Sequence, residues 1–122
     1  ATGIDAEFAF VPHSGPFARG IHVTVQASLA VPCDTATLQQ TLRDFYAHSP
    51  FVQVTPQAPR IKNVVASNYA QLSAVSNGRS VAVLCVLDNL NKGAAGGAIQ
   101  WLNRLLGFDE TAGLLATAPG WT

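Results

Sequence analysis

Residues 86–107 read VLDNLNKGAAGGAIQWLNRLLG. They join an apolar run, RSVAVLCVL at 79–87, to a segment with helical spacing through a turn-forming Asp-Asn. The run is apolar at successive positions, so both faces of the strand it predicts should be covered, at the centre of a sheet. The helix is expected at about 92–106, with Ala95, Ala98, Ile99, Leu102, Leu105 and Leu106 on one face and Gly107 as the residue that ends it. Its opening carries little side chain. Gly96 and Gly97 within a helix cost together about 2 kcal/mol relative to alanine. Either close packing against a sheet or helix demands small residues there, or bare backbone N–H groups face a ligand. Lys92 sits at the helix start, against the macrodipole, where an anion between the two would be favoured. Asn89 adds an amide that can donate and accept.

Upstream of this stretch, YAQLSAVS at 69–76 alternates and predicts a strand, and Asn77-Gly78 predicts a hairpin into 79–87. EFAFVP at 7–12 and RGIHVTVQASL at 19–29 predict two further strands separated by His-Ser-Gly-Pro. Asp34 or Thr35 is placed to cap a helix bearing Leu38, Leu42, Phe45 and Tyr46, which Pro50 stops. FVQVTPQAPRIK at 51–62 holds a short strand broken by Pro56 and Pro59, as at an edge. The order β-β-α-β-β-β-α predicts an α+β fold, a mostly antiparallel or mixed sheet with helices packed on one face. The other face is left for a partner.

The 122 residues fit one domain and carry seven basic and seven acidic residues. That balance argues against a nucleic-acid partner, which selects a basic excess. Charged residues make up only 11%, against about 25% in ordinary domains, so exposed apolar surface awaiting a second subunit or domain is expected. No apolar run is long enough for a membrane span, and no leader is visible. Methionine is absent, and a piece of a longer protein is expected. Cys33 and Cys85 form no framework, which suits a reducing, cytoplasmic setting; Cys85 reads as a small buried hydrophobe.

Few residues offer chemistry. Arg19 is the only charge in VPHSGPFARGI, either a solvated strand end or a bidentate receptor for a carboxylate or phosphate. His13, beside a proline in that run, is a ligand or acid/base candidate, or structural. Cys33 would be activated at a helix start if exposed, but no partner lies near it in sequence. His13, His22 and His48 share no metal-ligand spacing. Paired carboxylates and nucleophile motifs are missing, so no catalytic residue is assigned within the chain and no metal is expected.

FVPHSGPFARGI, NVVASNY, GRSVAVLCVLDNLNKGAAGGAIQWLNRLLG and ETAGL, in that order, resemble the C-terminal part of N-acetyl-γ-glutamyl-phosphate reductases, across nearly the whole chain. The DNLNKGAAG block alone resembles the wider semialdehyde dehydrogenase superfamily. The resemblance implies a glyceraldehyde-3-phosphate-dehydrogenase-like C-terminal domain. Residues 1–122 would form its substrate and dimerisation domain, and 92–122 the helix and tail returning to an NADP-binding domain absent here. It implies a reductase of arginine biosynthesis that uses NADPH on an acyl phosphate, through a cysteine thioester. Arg19 and His13 would border the substrate; Asn89, Lys92 and Gly93 would border the cofactor. The expected partner is a second copy through the sheet face. The nucleophilic cysteine block, the catalytic histidine block and the Gly-rich cofactor loop are not in this sequence. Ala66 and Gly97 depart from the usual Gly and Gln. A self-associating structural module, or a reductase of aminoadipyl or aspartyl phosphate, are the alternatives.

Overall fold

The computed structural model describes residues 7–120. Six regular elements follow one another: β1 (Ile21–Ser28), α1 (Thr35–Phe45), β2 (Val52–Val54), β3 (Ala70–Asn77), β4 (Ser80–Leu87) and α2 (Gly96–Leu105). A 3₁₀ turn, Ile61–Asn63, precedes β3, and a π turn, Asn91–Ala95, leads into α2. The four strands are ordered β1-β4-β3-β2. β4 is antiparallel to both neighbours, and β2 is parallel to β3. The expected α+β class with a mixed sheet is therefore what the chain adopts.

The β3–β4 hairpin closes on Gly78 and Arg79, since Asn77 pairs with Ser80. The turn thus lies one residue later than the Asn-Gly pair suggests. Gly78 takes φ +66, the left-handed conformation required at the first centre of such a turn. α1 is capped by Asp34, whose carboxylate accepts from the Thr37 N–H at 2.8 Å; one orphan donor of the first turn is satisfied. Gln39, buried on α1, donates through Nε2 to Ala74 O at 3.0 Å and Pro56 O at 3.2 Å. These bonds fasten the helix to β3 and to the loop after β2.

The register assigns the two sheet faces. Ile21, Val23, Val25 and Ala27 of β1 share a face with Leu87, Cys85, Val83 and Val81 of β4, and with Ala70, Leu72 and Ala74 of β3. Both helices begin on this side. Ser76 donates to Cys33 O just ahead of α1, and Gly93 lies against Leu87 and Ile21. On the opposite face Asn63 donates to Gln71, which sets the 3₁₀ turn over that end of β3. Phe51, Val64, Val65, Leu72, Ala74, Val81, Val86 and Leu114 form the buried interior.

Two expectations fail. Residues 7–12 form no strand; Phe8 and Phe10 are 88% and 80% exposed. Their alternating pattern finds no strand to pair with. β4 is central by position but only partly covered: Val81 and Val86 are buried while residues 82–85 and Leu87 are half-buried, since α1 packs chiefly on β3 and β2. All eight residues of β1 are consequently exposed. The segment at 51–62 does hold the expected short strand, three residues ahead of its prolines and at the edge of the sheet. The interior sets stability: Phe51→Ala is expected to lower the unfolding free energy in urea by about 3–5 kcal/mol. Phe45→Ala, at an exposed position, should change it by less than about 0.5 kcal/mol.

Candidate functional site

At the end of β4 the apolar strand meets Asp88, whose side chain is fully buried. A buried carboxylate needs compensation from every side. Arg19 Nε donates to Oδ2 at 2.6 Å, and Arg19 Nη2 donates to Oδ1 at 2.7 Å. The Ala66 N–H donates to Oδ2 at 2.7 Å. The N–H groups of Leu90 and Asn91 donate to Oδ1 at 2.9 and 2.7 Å. Burial alone would push the carboxyl pKa up. The Arg19 guanidinium and the N–H groups of Asn91, Ala66 and Leu90 outweigh that and hold it at about 2.

The anion at this helix start is thus a side chain of the chain itself, capping the turn that follows. That turn is wide. Gly93 N–H reaches Asp88 O at 2.8 Å and Ala95 N–H reaches Leu90 O at 3.0 Å, both five residues back. Such π turns recur at functional sites. They also account for the glycines. A Cβ on Gly97 would come within 2.7 Å of Lys92 O, and one on Gly96 would collide with the Asn68 side chain and stand 3.0 Å from Asn91 O. Close packing is therefore sufficient reason for both.

The sequence-predicted residues divide into three positions. Arg19, 29% exposed at its side chain, lies in the Asp88 cluster and extends Nη2 to Asn91 Oδ1 at 3.2 Å. Asn89 joins the same region: its Oδ1 accepts from the Gly20 N–H at 2.7 Å, tying the loop after β4 to the entry of β1. Lys92 points elsewhere. Its ammonium donates to Gln100 Oε1 and stands 5.4 Å from the Phe51 ring centre. Burial pushes its pKa down, opposed by Glu110. Gln100 in turn donates to Glu110, so Lys92, Gln100 and Glu110 form a chain between the π turn and the ETAGL segment. Gly93 has its N–H engaged by Asp88 O. His13 is exposed, and its Nδ1 lies 3.1 Å from Val11 O.

Asp88, Asn68, Gln100 and Glu110 were not among the sequence candidates. Asp88 carried a signal: an Asp ahead of a turn accepts N–H bonds two and three residues on. Its place next to the apolar run demands a cation, and Arg19, the only charge in its own run, supplies it. Asn68 had no such signal; it is buried, and its Oδ1 has no hydrogen-bond partner. The three residues expected at a cofactor edge differ in what they leave unused among the described residues. Asn89 Nδ2 and the remaining N–H groups of Lys92 are donors that a cofactor could meet, whereas the N–H of Gly93 is already used.

The geometry joins the ARGI, VASN and DNLNKG segments at a single carboxylate. A family model described as "Semialdehyde dehydrogenase, dimerisation domain" matches residues 1–89. The chain belongs to this family. Among relatives, the N-acetyl-gamma-glutamyl-phosphate reductase of Cellvibrio japonicus is 44% identical over 113 residues, 89% of this chain and 32% of the relative. Proteins of the same name from Desulforudis audaxviator and Acidithiobacillus ferrooxidans are 42% identical over 117 residues and 45% identical over 121. These alignments cover 93% and 96% of this chain, and 34% and 35% of the relatives. The chain thus spans about a third of the length of the relatives it matches.

Two outcomes follow from this geometry. Ala66 holds φ +58, a left-handed conformation that costs a side-chain-bearing residue about 1–2 kcal/mol. Ala66→Gly relieves that strain and adds freedom to the unfolded chain, for a net gain of about 0.5–1 kcal/mol in urea unfolding. The second is a pH dependence. With the folded pKa of Asp88 at about 2 and the unfolded one at about 4, its stabilisation is present above pH ~4 and drains away as pH falls toward 2. Acid unfolding curves of Asp88→Asn should lack this component.

Proposed function

We propose that the whole protein carrying this chain is an NADP-dependent oxidoreductase. It would convert N-acetyl-γ-glutamyl phosphate to N-acetylglutamate semialdehyde in arginine biosynthesis, in the cytoplasm. The observation that carries this reading is the Asp88 cluster, which gathers Arg19, Ala66 and the Asn89–Lys92 loop from the blocks that resemble these reductases. The names of relatives 42–45% identical to this chain support it.

In this reading the chain walls the substrate pocket and holds the subunits together. Arg19 meets an anionic group of the acyl phosphate, and His13 borders the same side. Asn89, Lys92 and Gly93 border the cofactor, which when bound supplies the hydride. The nucleophilic cysteine and the cofactor loop come from another part of the protein. The open half of the sheet around β1 meets a second copy. The apolar stripe of α2 and the tail after it return to the cofactor domain; Trp101, Leu102 and Leu105 are exposed for such a contact.

The test is an assay of the whole protein in the reverse direction, with N-acetylglutamate semialdehyde, phosphate and NADP. Reduction of NADP that requires phosphate is expected, with none from residues 1–122 alone. Activity with aspartate semialdehyde only, or with the aminoadipyl analogue only, would move the assignment to a sister reductase. Activity from this chain alone would defeat the division of roles.

A further inference from the structure

We propose that Asp88 is the positioning residue of this site, a single carboxylate that sets both the substrate-side Arg19 and the cofactor-side Asn89–Lys92 loop. The inference rests on the reading just given for those residues. It starts from how the Arg19 guanidinium is used. Its fork is spent inside the protein: Nε and one N–H of Nη2 go to Asp88, and Nη2 also reaches Asn91 Oδ1. Only Nη1 has no partner among the described residues. A ligand anion therefore meets one nitrogen, not a bidentate fork, and the direction in which that nitrogen points is fixed by Asp88.

The other side of the site hangs on the same group. Oδ1 of Asp88 accepts from Leu90 and Asn91 N–H, and the backbone carbonyl of Asp88 accepts from Gly93 N–H. These bonds start the π turn that carries Lys92. Asn89, between the bonded residues, is turned so that its Oδ1 takes the Gly20 N–H. The next residue back is Arg19, so the two sides are closed into one ring: Asp88, Arg19, Gly20, Asn89. An asparagine at 88 keeps the shape but replaces one acceptor oxygen with an N–H₂. That group would face donors from Arg19 and the backbone, leaving at least two of the five bonds broken.

The experiment is steady-state kinetics of the whole protein with each substrate varied. Asp88→Asn should raise the KM for both N-acetyl-γ-glutamyl phosphate and NADPH about tenfold, with kcat within about threefold of the parent. Arg19→Lys should raise the acyl phosphate KM alone, because Lys retains a cation against Asp88 but cannot copy its bonds. A fall in kcat with both KM values unchanged in Asp88→Asn would mean a scaffold role and overturn the inference. So would a rise in only one of the two. If Asp88→Asn does not accumulate as folded protein, Arg19→Lys decides: unchanged KM for acyl phosphate overturns it. A parent protein that binds NADPH but reduces no N-acetyl-γ-glutamyl phosphate sinks the functional reading instead. NADPH dissociation constants of parent and Asp88→Asn then test the cofactor side, where an unchanged value overturns the inference.

Discussion

A carboxylate with no access to water is the constraint on which this domain is built. Taking an ion out of water costs several kcal/mol unless charge and hydrogen bonds replace the solvent. Asp88 meets that demand with one guanidinium and three backbone N–H groups. Each donor comes from a different place in the chain or imposes a conformation on it. Arg19 must stand at the entry of β1, two residues before the strand. Ala66 must turn its N–H inward, and it does so at φ +58. Leu90 and Asn91 must begin a turn at once after β4. Loss of Arg19 would leave an unpaired buried charge, a far larger penalty than the pair's net contribution.

α2 obeys this arrangement at the expense of its own pattern. The helix enters the domain with its small and polar side inward: Gly96 and Asn103 are its buried residues. Asn103 donates to Ala112 O at 3.0 Å, and Gln100 links Lys92 with Glu110. The hydrophobic stripe therefore faces out, with Trp101 64% and Leu105 79% exposed. Together with β1, exposed along its whole length, this accounts for a chain that is low in charge and rich in apolar residues. Its surface holds apolar area of the kind normally covered by another subunit or domain.

Much of the fold was legible in the residues. β1, β3 and β4 follow from alternation and from the Asn-Gly hairpin, and α1 follows from Asp34 and the spacing of Leu38 and Leu42. What failed shares one cause. Phe8 and Phe10 alternate as a strand should, but alternation is a property of a segment and pairing is a property of its neighbours. The stripe Ile99, Leu102, Leu105 and Leu106 has helical period, but period does not say which face turns inward. The structure brings Arg19 and Asn89 of the sequence candidates to one carboxylate and leaves Lys92 and His13 apart from it. Asn89 and Arg19 were visible as isolated polar residues in apolar runs. Asp88 has the sequence signature of turn punctuation, yet an acid adjoining an apolar core strand has to find a cation.

The glycines of the π turn show the same limit from the other direction. Gly96 and Gly97 suggested either bare backbone for a ligand or tight packing, two readings with one sequence signature. The structure supplies tight packing for both, against Asn68 and Lys92 O. Tight packing alone does not require a π turn. That widening follows from Asp88, whose backbone carbonyl takes the Gly93 N–H while its side chain takes those of Leu90 and Asn91. With both ends of one residue engaged, the chain must climb five residues before its bonds close. The next turns then lie so near Asn68 and the Lys92 carbonyl that no side chain fits between. Small residues at the start of α2 are in this sense a consequence of the buried acid eight residues before Gly96.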